Sequence, residues 1–250
     1  MKKFCFIFGI FLIFWPLTSA LAVIKNFQDA KKEARIIWSA HRLTVYCHCT
    51  FDKNLQINHT SCQYYPHHHP RAQRVEWEHI VPVSWFGNSL PCWRHPICDK
   101  KNGKKFKGRA CCELKDIQFR KMYTDLHNLI PVIGEVNAAR KNYRFTEFSP
   151  LTPEKHLSFH GCKIAISDAH RAVEPSDEIK GLIARAHLYM AHTYPFKLSK
   201  KQTTLFWHWN QSYPPSAWER EWNKKVTQVQ GNDNLFITHY LGMLLLFSSQ

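Results

Sequence analysis

Arg74-Val75-Glu76-Trp77-Glu78-His79-Ile80-Val81-Pro82 places two carboxylates and an imidazole on a segment that alternates polar with apolar side chains and then meets a proline. Alternation with a period of two is the pattern of a half-buried strand. The proline, which has no N–H to give, ends it at an edge or a loop. The acid and the base therefore sit where a strand opens out. On a regular strand neighbouring side chains point to opposite faces, so Glu76 and Glu78 share a face and His79 looks away. For Glu78 and His79 to act in one site, the backbone has to depart from the strand there, at a bulge or at the strand end.

On the N-terminal side, residues 26 to about 45 repeat apolar side chains at helical spacing, which predicts an amphipathic first helix. Residues 44–70 are rich in Cys, Asn, Tyr and His without a sustained period, as an irregular, disulfide-pinned region would be. Within it, Asn58-His59-Thr60 fits the acceptor pattern for N-glycosylation. On the C-terminal side, residues 91–120 are dense in Lys, Gly and Cys and read as a solvated basic loop stapled by disulfides. Clustered charge of this kind grips phosphates without any special geometry. Pro131 then suits the first turn of a helix that carries Val132, Val136 and Ala139 on one face. Asn128 falls at or just before that start, where an ordinary helix cap is one reading of it.

Three further helices follow: residues 178–190, a helix opened by Ser199 and broken at Tyr213-Pro214-Pro215, and residues 218–230. Their aromatic side chains are expected in the core. No internal repeat and no shift in composition forces a domain boundary.

The chain has 250 residues and opens Met1-Lys2-Lys3, followed by an uncharged run to Leu17 and the small-residue stretch Thr18-Ser19-Ala20-Leu21-Ala22. That is the build of a secretory signal peptide, residues 1–22, cleaved after Ala22 to leave one domain over residues 23–250. The run is short for a membrane anchor, and the apolar stretch Leu244-Leu245-Leu246-Phe247 is too brief to span a bilayer. Cleavage removes Lys2 and Lys3, so Lys plus Arg falls from 34 to 32 against 19 Asp plus Glu, and the mature chain carries about +13. An excess this large makes a polyanion the natural partner, whether nucleic acid or an anionic surface. Without Cys5, eight cysteines remain: Cys47, Cys49, Cys62, Cys92, Cys98, Cys111, Cys112 and Cys162. An even number behind a secretory signal points to as many as four disulfides in an oxidising compartment, with the pairing open. Zinc held by Cys47, Cys49 and nearby histidines is a competing reading, at a spacing unlike that of usual zinc modules.

Hydrolysis of a phosphodiester is a reaction these residue types can support. A histidine takes a proton from water near neutral pH. Glu and Asn oxygens hold a hard cation such as Mg2+ while several waters stay bound. An arginine presents a planar fork to phosphate oxygens. Glu78, His79, Asn128 and one arginine of the basic stretch would fill these posts, though sixteen histidines and many arginines leave the choice underdetermined.

Several strings in order narrow it: Glu76-Trp77-Glu78-His79-Ile80-Val81-Pro82, Gly108-Arg109-x-x-Cys112, Phe119-Arg120-Lys121-Met122, Asp125-Leu126-His127-Asn128-Leu129-x-Pro131, Gly134-Glu135-Val136-Asn137-x-x-Arg140 and Val229-Gln230-Gly231-Asn232. Together they resemble the bacterial endonuclease I family of periplasmic and secreted nucleases, over nearly the whole mature chain. The resemblance implies a mixed α+β fold, disulfide-stabilised, with a ββα-metal (His-Me finger) active site. It also implies an enzyme that cuts double- and single-stranded DNA, and often RNA too, with little sequence preference; a monomer is expected. By the same resemblance Glu78 and Asn128 would bind Mg2+ or another divalent cation, His79 would activate water, and Arg109 would bind the phosphate. Glu76, Arg120, Glu135, Asn137 and Arg140 match the strings and are expected to support these residues by hydrogen bonds or ion pairs. A secreted basic protein that coats nucleic acid or anionic lipid without cutting fits the charge and the disulfides equally well. It has no need of the Glu78, His79, Asn128 set.

Overall fold

The structure, a computed structural model, describes residues 24–66 and 68–241. The expected signal peptide, His67 and the apolar run at 244–247 lie outside these residues. The chain begins with α1 (Phe27–Ile37), whose N-terminus is capped by the Asn26 side chain accepting from the Gln28 and Asp29 amides. Ala30, Ala34 and Ile37 are its buried face. The helix is shorter than the sequence suggested. After a 3₁₀ turn at Trp38–Ala40 the backbone folds back on itself, the Thr44 amide donating to the Cys49 carbonyl and the Cys49 amide to Thr44 Oγ1. Two disulfides, Cys47–Cys162 and Cys49–Cys62, fix that turn, and residues 44–70 are irregular as expected. With both sulfurs bonded, the zinc reading of Cys47 and Cys49 falls away.

The quoted stretch forms β1 (Val75–His79). After it come α2 (Val83–Gly87), α3 (Pro91–Arg94), the small hairpin β2 (Cys98–Asp99) and β3 (Lys105–Phe106), α4 (Arg109–Lys115) and α5 (Ile117–Tyr123). The basic stretch is thus a string of short elements rather than a loop. Cys92–Cys112 and Cys98–Cys111 clamp it, so all eight cysteines expected to pair do so.

The helix expected to start at Pro131 does not. Residues Leu129–Ile133 form β4, antiparallel to β1 in an unbroken register that sets His79 opposite Leu129 and Trp77 opposite Pro131. Three of these five residues, Ile130, Val132 and Ile133, are β-branched, all five are buried, and β-branched side chains favour the extended backbone. Pro131 is tolerated because a two-stranded ribbon consists of edges. The helix starts three residues later, as α6 (Gly134–Arg140), and packs on both strands. Gly134 permits the contact: a Cβ there would meet Arg71 O at 2.7 Å and the Glu76 carboxyl at 2.9 Å.

A three-stranded sheet of order β5 (Arg144–Phe145), β7 (Ala172–Pro175), β6 (Ile164–Ser167) follows, β5 and β7 being parallel. The C-terminal part is helical: α7 (Asp177–Thr193), α8 (Lys200–Ser212), α9 (Ala217–Gln230) and α10 (Leu235–Thr238). Ser199 and Gln202 form the capping box of α8. Phe206, Trp209 and Trp222 are buried, with Trp38 of the first 3₁₀ turn, in the core that these helices share with β1 and β4. The fold is α+β, with four disulfides. Among the described residues no helix is long and apolar enough to cross a membrane.

Candidate active site

The end of β1 and the start of α6 border one cavity of about 450 Å3, into which Arg71, Glu78, His79, Arg109, Asn137 and Arg140 face or contribute. The unbroken β1–β4 register excludes a bulge. Glu78 and His79 reach the same space because the strand stops at His79. Two side chains pin that stop. Arg140, buried, donates from Nη1 to His79 O at 3.0 Å and from Nη2 to Ile80 O at 2.6 Å. Asn128, fully buried, accepts the Val81 amide at 2.7 Å on Oδ1 and donates from Nδ2 to Val81 O at 3.2 Å.

His79 packs against the rings of Phe27, at 5.0 Å, and Tyr123, at 5.1 Å, which also stack on each other at 4.6 Å. Its Nε2 is 2.9 Å from the Tyr123 carbonyl. A carbonyl only accepts, so Nε2 carries the proton and Nδ1 keeps the lone pair in the neutral ring. Burial pushes the imidazole down to about 3, against the opposing pull of the Tyr123 carbonyl and with help from the Arg109 and Arg140 charges. The ring is therefore neutral, with one basic atom, across the physiological range.

Glu78 is 2% exposed. Its Oε1 accepts from the Tyr46 hydroxyl at 2.8 Å and faces Arg140 Nη1 at 3.2 Å. Burial raises its pKa, and the Arg140 charge and the Tyr46 hydrogen bond oppose the rise. Oε2 is buried and has no hydrogen-bond partner among the described residues. A lone carboxylate oxygen in such a place costs stability unless something positive or protic meets it.

Asn137 projects from α6 and donates from Nδ2 to Glu76 Oε2 at 3.1 Å. Because a carboxylate accepts only, this bond fixes which end of the amide is which and leaves Oδ1 as the outward acceptor. Glu76 is itself held by Arg71 Nε at 2.8 Å, by Arg71 Nη2 and by Arg74 Nη2 at 3.1 Å. Burial pushes its carboxyl up, but the Arg71 hydrogen bond and charge, with Asn137 and Arg74, leave it below the usual value.

Arg109 is the first residue of α4, and its guanidinium lies 5.7 Å from the Tyr123 ring centroid. Gly108 before it has φ 87° and ψ −158°, a backbone state that side chains exclude. Arg120 stands apart from the cavity, donating to Glu113 O at 2.7 Å and Leu114 O at 3.2 Å and so covering carbonyls at the end of α4. Glu135 is also apart: it accepts from Tyr64 and faces His160 Nδ1 at 3.6 Å.

The site thus gathers Glu78, His79 and Arg109 as the sequence suggested. It does not bring the Asn128 amide to them, since both of its polar atoms engage Val81. The cavity instead holds Asn137, together with Arg71 and Arg140. Tyr46 and Arg71 carried no signal in the sequence. Asn137 did, as the residue one turn into the helix that follows β4, but a helix starting at Pro131 hid that placement.

A family model described as Endonuclease I matches residues 22–240. An extracellular deoxyribonuclease of Aeromonas hydrophila is 36% identical over 219 residues, which are 86% of this chain and 88% of that protein. A periplasmic deoxyribonuclease of the same organism is 36% identical over 231 residues, 90% of each chain. Endonuclease-1 of Buchnera aphidicola subsp. Baizongia pistaciae (strain Bp) is 38% identical over 217 residues, 85% of this chain and 83% of that protein.

Proposed function

The chain belongs to the endonuclease I family, and from that premise we propose that the cavity at the end of β1 is the site of a divalent-cation-dependent, sequence-nonspecific nuclease that hydrolyses DNA and also RNA. The protein is a phosphodiester-hydrolysing endonuclease that acts on DNA, periplasmic or secreted. Residues 1–22 are read as a signal peptide and 23–250 as one nuclease domain that works as a monomer. The ribbon β1–β4 followed by α6 is the arrangement expected of a ββα-metal site, with the base on the first strand and a ligand on the helix.

One observation carries the reading: Glu78, whose buried Oε2 has no partner among the described residues, and Asn137 border the same cavity as a neutral imidazole. Two oxygen donors with room for water suit a hard divalent cation such as Mg2+. Glu78 Oε2 and Asn137 Oδ1 would hold it, Asn137 taking the part that the family resemblance implied for Asn128. Such a cation supplies charge neutralisation at the phosphate. His79 Nδ1 removes the proton from the attacking water as the new P–O bond forms and the bond to the leaving sugar oxygen breaks, and that oxygen takes a proton from solvent water to leave as a hydroxyl. Nε2, bonded to the Tyr123 carbonyl, steadies the imidazolium that results. Arg109 binds a non-bridging phosphate oxygen and offsets the charge that grows there. Glu76 keeps the Asn137 oxygen turned outward, and Arg140 holds both Glu78 and the His79 carbonyl. Phosphate contacts carry no base information, which supports weak sequence preference.

Purified mature protein should degrade plasmid and single-stranded DNA with Mg2+ and stop with EDTA. His79→Ala should lower the cleavage rate by roughly 10²–10⁴-fold, the usual worth of a general base, while binding of DNA in EDTA persists. Cleavage by His79→Ala at the parent rate would reject the assignment.

A further inference from the structure

Beyond Arg71, Arg109 and Asn137 the catalytic cavity opens into a second cleft of about 590 Å3, and those three residues border both spaces. One wall of the cleft is α1, which turns Gln28, Lys31, Lys32 and Arg35 toward it. These are positions i, i+3, i+4 and i+7, a single helix face, while Ala30, Ala34 and Ile37 are buried on the other. Among the described residues bordering the cleft the one acid is Glu76, and Arg71 and Arg74 already match it. Asp29 reaches Lys32 at 3.5 Å on the exposed side of the helix, a contact of the weak surface kind. Arg35 donates to the Lys53 carbonyl, and Lys31 sits 5.2 Å over the Phe27 ring.

Phe27 is the first residue of the same helix, and it stacks on His79. The cations of α1 are thereby held at a fixed place relative to the base. From Gln28 to Arg35 the helix advances about 10 Å, at 1.5 Å per residue. A DNA strand presents a phosphate about every 3.4 Å of its axis, so this face matches roughly three phosphates.

We propose that the α1 cleft is a phosphate-backbone subsite for duplex DNA, in which Lys31, Lys32 and Arg35 hold one strand beside the scissile phosphate. The proposal rests on the nuclease reading of the adjoining cavity. Its contribution is to affinity and to the placing of long substrate, independent of sequence. Glutamine at all three positions removes the charge and keeps the helix.

The test compares the parent with Lys31→Gln/Lys32→Gln/Arg35→Gln. A control carries the same charge change at exposed lysines that border neither space, Lys115→Gln/Lys200→Gln/Lys224→Gln. Binding of a short labelled duplex is measured in EDTA over a NaCl series, and KM for long duplex DNA is measured with Mg2+. At about 0.9 in slope per phosphate contact, the α1 variant should flatten log Kd against log[NaCl] by roughly 2–3, and its KM should rise. The control should flatten the slope by less than about 1. An α1 variant with the parent slope, or a control that flattens it as much, overturns the proposal. A parent that binds but does not cut, with the α1 slope reduced, would sink the catalytic reading while the cleft assignment stood.

Discussion

A buried imidazole that donates from one nitrogen to a carbonyl keeps its second nitrogen as the only place for another proton, and the interior resists that proton's charge. His187 shows the effect away from the cavity. It stacks on Phe206 at 4.1 Å, its Nδ1 meets Ile183 O at 2.8 Å, and burial pushes it down to about 3. The unfolded chain takes up that proton near 6.5, so between pH 6.5 and about 3 the unfolded state binds more protons and stability falls as pH falls. Denaturant titrations at pH 7 and pH 4 should show His187→Phe losing less stability on acidification than the parent, by roughly 1 kcal/mol per pH unit below 6.5. Equal losses would place the acid sensitivity elsewhere. The two asparagines divide in the same way by what they touch. Asn128→Ala leaves the Val81 N–H and C=O unmet and should cost roughly 2–4 kcal/mol. Asn137→Ala, half-buried with one donated bond, should change stability by less than about 1 kcal/mol but weaken cation binding about tenfold or more, read by titration calorimetry. The reverse pattern would return the ligand role to Asn128. Glu78 and His79 could be picked out from sequence because they adjoin on one short strand. The choice between two asparagines nine residues apart could not, because it depends on which backbone each amide faces.

At the scale of elements, the site depends on where one strand stops and one helix starts. β1 and β4 were half legible: alternation marked β1, whereas the continuously apolar β4 lacks alternation and its proline imitates a helix start. Three helices of the C-terminal part, α7 to α9, could be placed to within a residue or so at most ends, since capping and breaking residues bound them, as Ser199 and Pro214 do for α8, whereas the four-residue α10 was not anticipated. What composition hides is close approach, and Gly134 is the instance. Gly134→Ala would drive α6 away from Arg71 O and Glu76, costing roughly 1–3 kcal/mol. It would also move Asn137, so its specific activity should fall by more than its stability alone explains. A variant with full activity and an unchanged melting temperature would mean that the ribbon and helix tolerate separation.

Over the whole molecule, covalent closure and charge are the two properties that composition announced most openly. Cys47–Cys162 joins residues 115 apart, against 13 for Cys49–Cys62, and the chain-entropy account gives the longer closure roughly 1–2 kcal/mol more stabilisation. Replacing the first pair by Ala should therefore lower the melting temperature more than replacing the second, and dithiothreitol should lower it further. A melting temperature unchanged by full reduction would contradict a structural role for all four bonds. The pairing itself was invisible, because eight cysteines allow 105 arrangements and only the folded path selects one. The excess of positive charge said that a polyanion would bind. It did not place the cations of α1 along the cavity that holds His79, which is a fact of packing. The most direct test of the central claim is the location of a bound cation. A crystal soaked in Mn2+ and measured for anomalous scattering should show a peak in contact with Glu78 Oε2 and Asn137 Oδ1. A peak elsewhere, or none in that cavity while cleavage still requires the cation, would contradict the account.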